Sequence, residues 1–224
     1  QDERLYEDAL GCLQGAVEVA PLDRRVHNNL GRLCYVMGRP DEAIPHLQRA
    51  IEVDDESWYP HYNLAVTFLD LGREQEAVAR LLRVLEFHPK LGLAYGLAAD
   101  LLRRPARLWA GSDLEQRLAD LERTFHPQDT PLRARRALAL WRLHSPERRN
   151  LDMALDHAQE EVAATQGRDS TALAMFARIQ FARGESRGAV CTLEDVAARP
   201  RVLQDHAGLL REYRKAIRPD LVSL

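Results

Sequence analysis

Residues 24–57 read RRVHNNLGRLCYVMGRPDEAIPHLQRAIEVDDES, and residues 58–91 follow directly as WYPHYNLAVTFLDLGREQEAVARLLRVLEFHPKL. Laid over each other, the two stretches are identical at ten places: His27/His61, Asn29/Asn63, Leu30/Leu64, Gly38/Gly72, Arg39/Arg73, Glu42/Glu76, Ala43/Ala77, Leu47/Leu81, Arg49/Arg83 and Glu52/Glu86. A fixed period of this size marks stacked helical repeats. It also runs backwards: Ala9, Leu13, Ala16 and Pro21 stand one unit before Ala43, Leu47, Ala50 and Asp55.

Each unit reads as two helices with a glycine between them. In the first, Leu30, Leu33, Cys34 and Met37 form one apolar stripe at helical spacing. Gly38 ends that helix, because glycine tolerates the left-handed conformation a helix stop often needs. Pro40 suits the first turn of the next helix, where its missing N–H goes unused. Pro45 falls in the second turn and predicts a slight bend rather than a break.

Working outward, residues 3–19 read as the second helix of an incomplete repeat over 1–23. The chain therefore reads as entered part-way, with something upstream cut away. Full repeats follow at 24–57 and 58–91, and looser ones at 92–127 and 131–166. The form returns at 170–201, and a solitary capping helix is expected over 202–218, since the last element of such an array needs a polar outer face. Residues 104–111 make a longer connection through Pro105, and Pro127 is the expected stop of the helix after it. No alternating apolar pattern or hairpin signal occurs. The expected fold is all-α, a single solenoid of stacked antiparallel helix hairpins.

Composition narrows the function classes. The 224 residues are 46% hydrophobic and 29% charged, which fits a globular chain, and no apolar run reaches the ~18 residues of a membrane span. A net charge of −3 gives no reason to expect nucleic acid or membrane insertion. Residues 1–91 carry a net −6 and the remainder +3. Basic residues gather at Arg133, Arg135, Arg136, Arg142, Arg148 and Arg149, and again from Arg199 to Arg218. A solvated helix face is the ordinary reading of such runs, an acidic partner surface the next. Cys12, Cys34 and Cys191 sit among apolar neighbours and read as buried free thiols. Nothing implies an oxidising compartment, and a cytoplasmic one is slightly favoured.

Catalysis finds little support. Gly184-Glu185-Ser186-Arg187-Gly188 matches a hydrolase serine motif, but that motif needs a strand before its turn, and this one falls between two helices in register with Gly38 and Gly72. His27 and His61 hold equivalent places near helix starts, where packing is the usual role. Asp152, Asp156 and His157 read as a solvated face. No phosphate loop, Cys-x-x-Cys pair or metal-type histidine spacing occurs, so no cofactor or metal is expected.

The motif Leu30-Gly31, Gly38, Ala43, Leu47, Ala50, then Leu64-Ala65, Gly72, Ala77, Leu81, Pro89, resembles the tetratricopeptide repeat. The resemblance is strong over 9–91, good over 170–197 and weak over 92–166. It implies a right-handed superhelix whose first helices line a groove for a protein or peptide partner. Asn29 and Asn63 hold the same position of that helix, similar to the asparagine ladder in the repeat arm of O-linked N-acetylglucosamine transferases. A carboxamide can donate and accept at once, matching peptide backbone without reading side chains. Asn28, Arg32 and Tyr35, then Tyr59, Tyr62 and Val66, are expected to flank the pair. The third repeat has Leu97 in that place, so the ladder has two rungs. Carboxylate-clamp repeats fit less well, because Leu93 and Leu97 stand where that resemblance requires basic residues. The function expected is a non-catalytic interaction scaffold. Alternatives are the recruiting arm of a larger enzyme, or self-association through the truncated first repeat.

Overall fold

The computed structural model describes residues 2–124, 131–146, 149–198 and 209–214. Those residues contain helices and no strand. The helices are α1 (Asp2–Val19), α2 (Arg24–Val36), α3 (Pro40–Val53), α4 (Trp58–Asp70), α5 (Glu74–Phe87), α6 (Gly92–Leu102), α7 (Asp113–Arg123), α8 (Leu132–His144), α9 (Leu151–Ala164), α10 (Ser170–Ala182) and α11 (Ser186–Ala197). A short 3-10 turn, Ala106–Leu108, lies between α6 and α7. The chain divides into two compact units, Gln1–Leu114 and Glu115–Leu224.

In the first unit, α2 pairs with α3 and α4 with α5, and α3 packs on α4. The glycine stops are alike. Gly38 and Gly72 have φ of 75° and 70°, and the residue after each bonds back five residues, Arg39 to the Cys34 carbonyl at 2.9 Å and Arg73 to that of Phe68 at 2.8 Å. This is the Schellman closure, which satisfies carbonyls the helix end leaves over. Gly184 repeats it in the second unit, with φ 87° and Glu185 bonded to Gln180 at 2.9 Å. The serine motif is thus a helix stop. Pro45 lies inside α3, which continues to Val53.

Small residues set the hairpin width. Ala43, Leu47 and Ala50 of α3 are fully buried, as are Ala77 and Leu81 of α5. Gly31 is tightest: a Cβ there would stand 2.6 Å from Leu47 Cγ and 3.0 Å from the Ala43 carbonyl oxygen.

A clasp recurs at the same period. His27 Nε2 bonds the Pro21 carbonyl and His61 Nε2 the Asp55 carbonyl, each at 2.9 Å, and the Tyr95 hydroxyl donates to the Pro89 carbonyl at 2.9 Å. Each ties a first helix to the turn before it. A ring nitrogen bonded to a carbonyl must carry the proton. The His61 Nδ1 is buried without a hydrogen-bond partner. Burial pushes this imidazole below its ordinary value near 6.5, and the Arg80 and Arg83 charges push the same way against Asp55.

A lowered histidine pKa means that the unfolded chain binds the proton more readily. The resulting contribution is whole above about pH 6.5 and declines as pH falls below it. The urea midpoint is therefore expected to drop between about pH 7.5 and pH 5.5. His61→Gln keeps an N–H donor for the Asp55 carbonyl and should flatten that drop. Equal slopes in wild type and variant would refute the assignment.

The second unit is held differently. α8 packs on α9, α9 on α10 and α10 on α11, and residues 209–214 are helical. Leu210 and Tyr213 close an apolar cluster with Ala174, Ala177, Ala189 and Leu193. Carboxylates stand inside this unit. Glu115 Oε1 accepts from Trp141 Nε1 at 2.9 Å and from Ser145 Oγ at 2.7 Å. Glu122 Oε1 meets Arg142 Nε at 2.9 Å and His157 Nε2 at 3.0 Å. Arg136 Nε reaches Glu161 Oε1 at 2.8 Å, and its Nη2 reaches Asp169 Oδ2 at 2.6 Å.

Three expectations need correction. His157 is not on a solvated face but buried against Glu122, while Asp152 is exposed and pairs with Arg183 at 3.0 Å. Arg135 is buried, and Arg136 and Arg142 are engaged with internal carboxylates. Of the thiols only Cys34 is buried; Cys12 and Cys191 are exposed. Both lie off the inward stripe of their helix, which in α11 is Ala189, Leu193 and Val196. The Pro127 stop, Arg148, the basic run from Arg199 to residue 208, and most of the 202–218 capping helix lie outside the described residues.

Candidate functional site

The first helices of the first unit stand side by side, α2 touching α4 and α4 touching α6. A pocket of about 470 Å³ opens on this row. Helix α2 brings Arg24, Arg25, Asn28, Asn29 and Arg32; α4 brings Trp58, Tyr59, Tyr62 and Asn63; α6 brings Leu93. These positions recur three and four residues apart, which puts them on one face of each helix. Six of the eight candidates therefore share a pocket: Asn28, Asn29, Arg32, Tyr59, Tyr62 and Asn63.

Tyr35 and Val66 do not line it. Tyr35 sits at the far end of α2, and its hydroxyl donates to Asp70. That bond first, and then burial, pushes the phenol up to about 12. Val66 is half-buried. Arg24, Arg25 and Trp58 were not anticipated, although all three occupy the first turn of a first helix.

The pocket has an aromatic wall and a polar floor. Trp58 and Tyr59 stack with ring centroids 3.7 Å apart, and Tyr62 and His88 meet Trp58 edge-on, each at 6.1 Å. Tyr59 remains 54% exposed. Asn63 Nδ2 donates to Asn28 Oδ1 at 2.9 Å, tying α4 to α2. Asn29 is exposed and has no side-chain hydrogen bond among the described residues. Three guanidiniums line the pocket and no carboxylate does. Arg24 is paired with Asp54 at 3.1 Å and Arg25 with Asp23 at 3.2 Å, whereas Arg32 has no ion pair among the described residues.

The ten repeat identities can now be sorted by what each does. Leu30/Leu64, Ala43/Ala77 and Leu47/Leu81 are core, Gly38/Gly72 stop helices and His27/His61 are clasps. Arg39–Glu42 and Arg73–Glu76 are the same exposed ion pair, as are Arg49–Glu52 and Arg83–Glu86. Such pairs contribute about 0–1 kcal/mol each. Only Asn29/Asn63 lacks a shared structural task, since Asn63 bonds Asn28 while Asn29 bonds nothing described.

The family profile of the tetratricopeptide repeat matches residues 22–90. Residues 22–90 carry tetratricopeptide repeats. Solved structures of tetratricopeptide-repeat proteins share the all-α fold. One from Parabacteroides merdae ATCC 43184 superposes with a TM-score of 0.73 at 20% identity, covering 98% of this chain and 82% of that one. TTC0263 from Thermus thermophilus gives 0.60 at 17%, covering 85% and 98%. YrrB, described as a TPR protein with an unusual peptide-binding site, gives 0.56 at 16%, covering 91% and 97%. No curated protein matches the sequence. Tetratricopeptide repeats are protein–protein interaction scaffolds, and proteins built from them bind protein or peptide partners. Among the described residues, no helix is long and apolar enough to cross a membrane, and no group of three or more His, Cys, Asp or Glu side chains could hold a metal.

Proposed function

We propose that the α2–α4–α6 face binds an extended peptide, with Asn29 and Asn63 hydrogen-bonding its backbone and the aromatic wall receiving its side chains. The observation that carries this reading is the asparagine pair: of ten identities across the repeat, it is the one the fold does not use in common. Asn63 spends one N–H on Asn28, and its oxygen and second N–H have no partner among the described residues. A carboxamide so placed matches a peptide N–H or C=O. Tyr59, Tyr62 and Trp58 suit the wall, being large and stiff, so little entropy is lost when they are covered. Arg24 and Arg25 are already paired with Asp54 and Asp23, so Arg32, which has no ion pair among the described residues, is the cation left to favour a peptide carrying an acidic group. YrrB is described as having a peptide-binding site, and this chain is similar to it in fold; the residues named here are its own.

Peptides selected from a random display library against the wild-type chain provide the test. Asn29→Ala combined with Asn63→Ala is expected to weaken the selected peptides about tenfold, two hydrogen bonds at ~0.5–1.5 kcal/mol each, with the melting curve little changed. A folded double variant that binds every selected peptide as well as wild type would dispose of the reading.

A further inference from the structure

We infer that the second unit carries a binding site of its own, for a carboxylate of an acidic peptide whose neighbouring side chain is apolar. A pocket of about 620 Å³ lies among the end of α8, the loop after it, α10 and the helical segment 209–214. This is larger than a lone carboxylate needs and falls in the range of small-ligand sites. His144, Arg149 and Arg178 line one part of it, Phe181 and Tyr213 another, and Glu212 also contributes.

The cationic part of the lining has two guanidiniums, Arg149 and Arg178, and one imidazole, His144. Burial first, and then the charges of Arg178 and Arg149, push His144 below its ordinary value. Neither arginine has an ion pair among the described residues, although Arg136, Arg142 and Arg183 of the same unit each have one. Arg178 does bond the Tyr213 hydroxyl. Two guanidinium forks match the two oxygens of a carboxylate.

Phe181 and Tyr213 stack nearly parallel, with centroids 3.9 Å apart at 6°. Phe181 stays half-buried, which leaves an apolar shelf beside the arginines. A ligand with an acid alone would leave that shelf wet. Glu212 sets the sign limit: its charge opposes a phosphate dianion more than a single carboxylate, so a glutamate or aspartate side chain is the fitting group.

The test is fluorescence anisotropy of the full chain with a labelled short peptide of alternating glutamate and leucine. Saturable binding is expected, weakened about tenfold or more by Arg178→Gln and by Arg149→Gln. Arg149 is exposed in a loop, so its variant folds even where Arg178→Gln does not. Replacing the peptide's glutamates by glutamine should abolish binding, and a phosphoserine–leucine peptide should bind less well. The double Asn29→Ala, Asn63→Ala variant should retain the binding that Arg149→Gln removes, which separates this pocket from the groove of the first unit. The inference is overturned by no saturation up to about 1 mM, by undiminished affinity in folded Arg149→Gln, by tighter binding of the phosphoserine peptide, or by a loss confined to the asparagine variant.

Discussion

Gly31→Ala is expected to lower the melting temperature of the first unit by several degrees, although alanine is the better helix former. Two effects oppose each other. Alanine in a helix interior is favoured over glycine by about 0.8–1.0 kcal/mol. Against this, the new methyl meets Leu47 Cγ at 2.6 Å and the Ala43 carbonyl oxygen at 3.0 Å. Leu47 is fully buried, and the carbonyl belongs to the helix backbone, so neither can swing aside. Overpacking of this kind costs about 1–3 kcal/mol, and the clash wins. Gly11 and Gly15 of α1 supply the control, since a Cβ at either meets nothing within 4 Å. Alanine there should be neutral or stabilising by about 0.5–1 kcal/mol. Position 65, one repeat later, is already alanine and fully buried, so the second hairpin accommodates a methyl group that the first does not. Thermal denaturation of the three single variants decides the matter. A Gly31→Ala curve that matches Gly11→Ala would mean that α2 and α3 do not approach as closely as described.

The repeat was legible because its period sets the pairing of α2 with α3 and of α4 with α5. Leu30, Ala43 and Leu47 fall at helical spacing, and a glycine stop divides the pair, so sequence distance and spatial distance agree. What stayed illegible depends on helices far apart in sequence. His157 looked solvated beside Asp152 and Asp156, but those two are four apart and share an outward face, whereas one residue on turns the side chain through about 100° and inward. Arg136 and Arg142 looked like a surface run because their partners, Glu161 and Glu122, lie 25 and 20 residues away. No local pattern announces such a pairing. The pocket was half legible for a related reason. Asn29 and Asn63 repeat and could be seen, whereas Trp58 and Arg24 do not repeat and enter only because α2 and α4 begin side by side.

Arg142→Ala is expected to destabilise the second unit by about 3–5 kcal/mol, the cost of breaking an enclosed ion pair from one side. Glu122 comes from α7, Arg142 from α8 and His157 from α9, so one carboxylate joins three helices. The side chains are 9%, 16% and 9% exposed respectively. Burial alone would raise the Glu122 pKa; the bonds from Arg142 and His157 outweigh it and hold the group at about 2. A carboxylate depressed from 4.5 to about 2 adds stability that is whole above about pH 4.5 and fades as pH falls toward 2, about 3 kcal/mol in all. Removing the guanidinium should therefore lower stability at neutral pH and also shrink the acid-induced loss between about pH 5 and pH 3. The second effect separates lost charge pairing from lost packing, since Arg142 also lies over the Trp141 ring at 4.4 Å. Arg142→Met keeps most of that bulk but not the charge, and should show the same shallow acid slope as Arg142→Ala. Joining it to Glu122→Leu should recover much of the stability, because an apolar pair of similar volume replaces an enclosed ionic one at little net cost. Urea titrations across pH on the four chains measure all of this. An acid slope as steep in Arg142→Met as in wild type would show that Glu122 owes its acidity to other groups.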